Sequence, residues 1–179
     1  RGAPGRRDQG RRHRALWRPG SHHAVLVPQE CTHWPQLFNL TNSAIVQYLW
    51  EYILRHRPKI VIMALPCRGF KGWAALNKVL NPHKWTQAML IGNRLSKLGA
   101  QVARHQLSNG YHFVLENPKD SDLFKRQEWQ SLWTDFDLYQ VHFDQCMLGL
   151  IGRKSGLPIQ KSTTMWASHP GLLRRLVGF

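Results

Sequence analysis

A thiol, a carboxyl group and a run of cations are the features of this sequence whose types and spacing could do chemistry. Cys67 follows the uncharged run Ile60-Val61-Ile62-Met63-Ala64-Leu65 and the ring of Pro66, which removes a backbone donor and stiffens the chain. Arg68 and Lys71 stand close behind it, and Gly69 and Gly72 permit tight turning. Neighbouring cations favour the thiolate, the form of cysteine that attacks electrophilic carbon. Read as packing alone, the same residue is a small buried apolar side chain, as most free cysteines are. Glu116 ends a second apolar stretch, Phe113-Val114-Leu115, and is followed by Asn117 and Pro118. An acid there suits the edge of a sheet better than a core, where it would need a partner such as Arg68 or Lys119. At a sheet edge it can hydrogen-bond a ring nitrogen of a bound heterocycle, with Asn117 and Pro118 fixing its direction.

These two groups must be positioned by the elements around them. Thr41-Asn42-Ser43 offers helix caps, and Ile45, Tyr48, Leu49, Tyr52 and Ile53 recur at helical spacing up to Pro58. The charge-free run that follows predicts a buried strand of the parallel kind. A long helix is predicted from Lys84 to Ser108, with the stripe Trp85, Ala88, Ile91, Leu95, Leu98, Val102 and His105, stopped by Asn109-Gly110. A strand at residues 113–115, a helix capped by Asp120 or Ser121, a strand at residues 139–143, a strand at residues 163–167 and a last helix after His169-Pro170 complete the pattern. Helices alternating with strands imply right-handed crossovers and a mostly parallel sheet with flanking helices, an α/β fold. Ligands of such sheets bind beyond the carboxyl ends of the strands, which singles out the loops carrying Cys67 and Glu116.

Composition narrows the class. The chain has 179 residues, 42% of them apolar and eight of them Trp, enough for one domain with a real core. Lys and Arg number 25 against 10 Asp and Glu, a net charge of +15 that puts nucleic acid, DNA foremost, at the head of the expected partners. No Asp or Glu lies between Glu51 and Glu116, whereas Arg55, Arg57, Lys59, Arg68, Lys71, Lys78, Lys84, Arg94, Lys97 and Arg104 do, a surface expected to surround Cys67. Trp73 and Trp85 interleave with them and could stack on bases, though Trp85 also fits the helix stripe. No apolar run is long enough to span a membrane. Three Cys and no apolar leader point to an intracellular protein, nuclear or cytoplasmic. His22-His23, Cys31 and His33 lack a second pair at zinc spacing, so no metal is expected. Residues 1–36, with Arg among Gly and Pro, read as a basic arm outside the fold, and residues 37–179 as a truncated α/β domain, a fragment of something longer.

At these residues a resemblance arises. Strand-Pro-Cys followed two elements later by strand-Glu-Asn resembles the DNA cytosine-5 methyltransferases. The blocks IVIMALPCRGF, HFVLENPKDSDLF, VHFDQCMLGL and KSTTMWASHPGLLRRL are together similar to methyltransferase-like modules of Copia-like retroelement polyproteins of unicellular algae and of some phage proteins. The resemblance implies the second half of a Rossmann-like sheet. It implies Cys67 as the nucleophile that adds to C6 of an extruded cytosine, and Glu116 as the group on N3. It also implies Pro66, Arg68, Lys71, Asn117 and Lys161 as substrate-binding residues, with S-adenosylmethionine as cofactor. Lys161 stands nearest an arginine that contacts the base in that family, but an ammonium lacks the two-pronged guanidinium. Leu65 replaces the usual second Pro, Pro118 the usual Val, and no strand–Gly–helix pattern for the cofactor precedes residue 60. A non-catalytic nucleic-acid-binding module of a mobile-element polyprotein accounts for the same charge without thiol chemistry. A thiol hydrolase would need a His base, and none is close to Cys67 in sequence.

Overall fold

The computed structural model describes residues 39–70 and 74–177. Helix α1 spans Ser43–His56, strand β1 Ile60–Ala64, helix α2 Ala74–Leu80, helix α3 Pro82–Ser108 and strand β2 His112–Pro118. Helix α4 spans Gln127–Asp135, strand β3 Tyr139–Asp144 and strand β4 Ser162–Ala167, with single 3-10 turns at Gln145–Leu148, Pro170–Leu172 and Arg174–Leu176. The basic arm at residues 1–36, Lys71 and Trp73 lie outside the described residues.

The four strands form one mixed sheet in the order β1-β2-β4-β3. Only β1 and β2 pair in parallel, while β4 is antiparallel to both β2 and β3. The fold is therefore α/β with flanking helices, but the expected mostly parallel pairing does not hold. Its cause is the connection after β3. A parallel neighbour needs a crossover, whereas residues 145–161 contain no α-helix and turn the chain straight back. Between β1 and β2, by contrast, lies the 27-residue α3. At about 1.5 Å per residue it returns the chain from the carboxyl edge of the sheet to its amino edge.

Alternation along β2 sorts the core. Phe113 and Leu115 face α1, α3 and α4, and pack with Ile53, Leu98, Val102, Ala103, Trp129, Leu132 and Trp166. Val114 faces the other way, against Ala167, Leu173, Val141 and Met165. Among the described residues all three long helices lie on the first face, and the second is covered by the C-terminal 3-10 turns alone. Those turns stand where a last helix was expected. β1 is an outer strand, and Ile62 at its centre is 74% exposed.

Local chemistry explains the boundaries. Asn42 caps α1 by accepting from the Ala44 N–H, and Arg57 ends it in a left-handed conformation. The inward face of α1 is Val46, Leu49, Trp50 and Ile53, so Tyr48 turns outward. The helix expected to start at Asp120 or Ser121 begins only at Gln127, because residues 121–126 are spent in turns. Gly99 lets α3 approach closely: a Cβ there would fall 3.1 Å from Leu65 and 3.2 Å from Trp129. The Gln106 side chain donates to the carbonyls of Pro58 (2.8 Å) and His112 (3.2 Å), tying the end of α3 to the amino ends of both parallel strands.

A polar network clamps α3 to α4. The Ser96 hydroxyl donates to Glu128 Oε1 at 2.7 Å and accepts from the Trp129 indole N–H at 3.0 Å. Arg126 Nε donates to the same Glu128 oxygen at 2.7 Å. Burial is the largest single influence on Glu128 and disfavours its charge, but the bonds from Arg126 and Ser96, a backbone bond and the Arg126 charge together outweigh it, and the carboxyl is held below its ordinary value. A depressed carboxyl contributes stability that is present above its unfolded-state value and lost as pH falls through its folded-state value. The stability difference between the wild type and Arg126→Leu is therefore expected to shrink as pH drops from about 7 to about 3. Urea unfolding across that range checks it, and a difference independent of pH would contradict the assignment.

Candidate functional site at the carboxyl edge of the sheet

Because β1 and β2 are parallel and β4 opposes both β2 and β3, the ends of β1, β2 and β3 and the start of β4 share one edge. Ala64 pairs with Glu116, and Glu116 in turn with Met165. Beyond Ala64 the chain continues through Leu65, packed on the core, to exposed Pro66 and half-buried Cys67. A turn closes there, with the Phe70 N–H donating to the Cys67 carbonyl at 2.9 Å. Phe70 is buried, and its carbonyl accepts from the Asp122 N–H at 2.8 Å, which fastens this turn to the loop after β2.

Asn117 joins the two strand tips. Its side chain is fully buried, and its amide donates to the Leu65 carbonyl at 2.8 Å. Its placement is thus that of a staple between β1 and β2. Its Oδ1 has no partner among the described residues. Arg68 is exposed beside Cys67, and Lys71 lies outside the described residues. The Cys67 thiol has no hydrogen-bond partner among the described residues.

Glu116 and Lys161, 45 positions apart in the chain, meet at this edge: Lys161 Nζ lies 3.5 Å from Glu116 Oε1. Glu116 is 18% exposed and Lys161 47%, so the pair is partly withdrawn from water. Two further residues complete the arrangement. Gln145 Nε2 donates to the same Glu116 oxygen at 3.4 Å and to Thr163 Oγ1 at 3.0 Å. The Thr163 hydroxyl donates to the Lys161 carbonyl at 3.2 Å. The bonds close a ring that starts and ends at Lys161: its carbonyl, Thr163, Gln145, Glu116, its own ammonium. The ring is held from outside as well. The Gln145 N–H donates to the Lys161 carbonyl at 3.0 Å, and the Lys119 N–H to the Ser162 carbonyl at 2.9 Å. Asp144 accepts from Ser162 and from Gln160 on either side of Lys161, and those bonds, Ser162 first, hold its carboxyl below the usual aspartate range.

Gln145 and Thr163 were not among the candidate residues. Gln145 sits inside the Asp144-Gln145-Cys146 block and Thr163 at the predicted start of a strand, but neither has a chemistry that stands out alone. The cationic interval is also not one surface. Lys59 is at the amino edge of the sheet, over the Tyr111 ring at 4.6 Å, and Arg104 is bound to Asp135 at 2.7 Å. Lys78 lies over the Trp85 ring at 5.3 Å. The ten cations therefore do not encircle Cys67. Cys67, in the turn after β1, and Cys146, in the 3-10 turn after β3, are both free thiols and are not joined in a disulfide. A groove of about 420 Å³ lined by Lys97, Gln101, Arg104, Glu128 and Ser131 lies between α3 and α4 and not at this edge. No group of three His, Cys, Asp or Glu side chains able to hold a metal ion gathers among the described residues. No helix among them is long and apolar enough to cross a membrane.

Comparison with family models, with curated proteins and with solved structures finds no match.

Thr163→Val keeps the shape but removes the hydroxyl of a fully buried side chain, leaving Gln145 one acceptor short. The variant is expected to lose about 1–3 kcal/mol, measured by urea unfolding. A loss no larger than that of an exposed Thr→Val control would show that the ring is not closed in solution.

Proposed function

We propose that this chain is part of a DNA (cytosine-5) methyltransferase-like protein, in which Cys67 adds to C6 of an extruded cytosine and Glu116 serves N3. The observation that carries the reading is the pairing of Ala64 with Glu116, which sets the Cys67 turn and the Glu116–Lys161 pair on neighbouring strand tips at one edge. C5 of cytosine is a poor nucleophile until a group adds at C6, and a thiolate is a suitable adding group. In the addition Sγ bonds to C6, the C5–C6 electron pair moves onto the ring and N3 takes a proton by way of Glu116. C5 can then accept a proton from solvent. Loss of the original C5 proton, expulsion of the thiolate and return of the N3 proton by way of Glu116 restore cytosine. Such chemistry needs the base outside the duplex stack. The half-exposed Lys161 and exposed Arg68 would face the base and its phosphate, and the cations of α2 and α3 would add salt-dependent affinity.

Among the described residues nothing pairs with the outer edge of β1, and that supports the partial Rossmann-like reading. An uncharged strand with Ile62 exposed lacks the protections of a natural edge, and a cofactor-binding half would add its strands there. The described residues themselves do not fit S-adenosylmethionine. Gly69, in the turn between β1 and α2, is packed against Met89, where a Cβ would fall 2.8 Å from the sulfur, so this turn is no cradle for a ligand. No methyl-transfer step is assigned to them. The intracellular setting, nuclear or cytoplasmic, follows from the same reading.

Addition at C6 can be tested without a methyl donor. Single-stranded DNA containing cytosine, incubated with the chain in deuterated water, is expected to exchange its C5 proton for deuterium, read by mass spectrometry. Cys67→Ser is expected to abolish exchange while salt-sensitive DNA binding persists. Binding without exchange in the wild type would replace the enzymatic reading with a non-catalytic nucleic-acid-binding module.

A further inference from the structure

The ring of bonds fixes more than the direction of Glu116. A threonine hydroxyl has one proton, and that of Thr163 is given to the Lys161 carbonyl, so toward Gln145 it can only accept. A carboxylate also only accepts. The Gln145 amide must therefore turn its nitrogen to both, and its carbonyl oxygen is bonded to no described residue. Lys161 and Gln145 both engage Oε1 of Glu116, leaving Oε2 open.

We infer that Gln145 is the positioning residue of this site. The inference rests on the proposed reading and deepens it. Gln145 holds Glu116 by Oε1 so that Oε2 is left for the ring nitrogen of the ligand.

The test compares Gln145→Ala, Thr163→Val and Thr163→Ser with the wild type in the deuterium-exchange assay, on oligonucleotides carrying cytosine, with folded fraction measured in parallel. Gln145→Ala and Thr163→Val are expected to lower exchange at saturating DNA about ten- to a hundredfold, with little change in the DNA concentration that half-saturates it. Thr163→Ser, which keeps the hydroxyl, is expected to stay near wild type. Exchange unchanged in Gln145→Ala would overturn the inference. If the wild type itself exchanges nothing, the functional reading fails, and the side-chain amide protons of Gln145 decide the positioning role by NMR. They should exchange slowly with solvent and speed up in Glu116→Ala, and insensitivity to that change would remove the role.

Discussion

One side-chain hydrogen bond sets the geometry of the carboxyl edge: the buried amide of Asn117 on the carbonyl of Leu65. The β1–β2 ladder ends at the Ala64–Glu116 pair, and beyond it nothing in a parallel sheet obliges the two chains to stay together. The Asn117 bond extends the pairing by one step after the backbone ladder has stopped. It holds the start of the Pro66-Cys67 turn at the level of Glu116, and the bond from Asp122 to Phe70 closes the turn from the far side. A lost bond here would free the thiol's loop without touching the ladder below it. Burying the whole Asn side chain concentrates that constraint, since an amide out of contact with water has no alternative donor target.

The rest of the molecule divides labour around that edge. The helices lie on one face and carry most of the apolar core, while among the described residues little covers the other face toward β1. Glu116 sits on the barer face, since it alternates with Leu115 and Asn117, which point to the helices. That is why its partners come from the returning strand β4 and the turn after β3 and not from α3. The antiparallel insertion of β4 between β2 and β3 brings Lys161, Thr163 and Gln145 to the end of β2. A fully parallel sheet with β3 beside β2 would have put a helix connection there and left Glu116 without them.

Much of this was legible from residue patterns. The charge-free Ile60–Leu65 run announced β1, the 3.6-residue spacing announced α1 and α3, and the strand rule pointed to the loops that carry Cys67 and Glu116. What failed had local causes. Residues 121–126 have the composition of a helix start but are spent in successive turns, with the Asp122 N–H bonded to Phe70 in the loop after β1. The segment after His169-Pro170 looks helical in composition but yields only 3-10 turns, held by Leu172 and Leu173 against Val114 and Ala167. The cationic interval looked like one surface because a sequence gives charge without direction. The 27-residue α3 spreads its cations along its length and commits Arg104 to Asp135, while Lys59 before β1 and Lys78 on α2 lie over aromatic rings.

By itself the sequence determined the element types and the chemistry on offer, because periodicity, capping and the reactivity of a thiol or a carboxyl group are properties of a few neighbouring residues. Only the tertiary structure decided which groups meet. The junction of Glu116 with Lys161, Gln145 and Thr163 depends on the order of strands in the sheet. That order is set by how connections of different length return the chain and by which faces can be buried together, quantities that no local pattern carries.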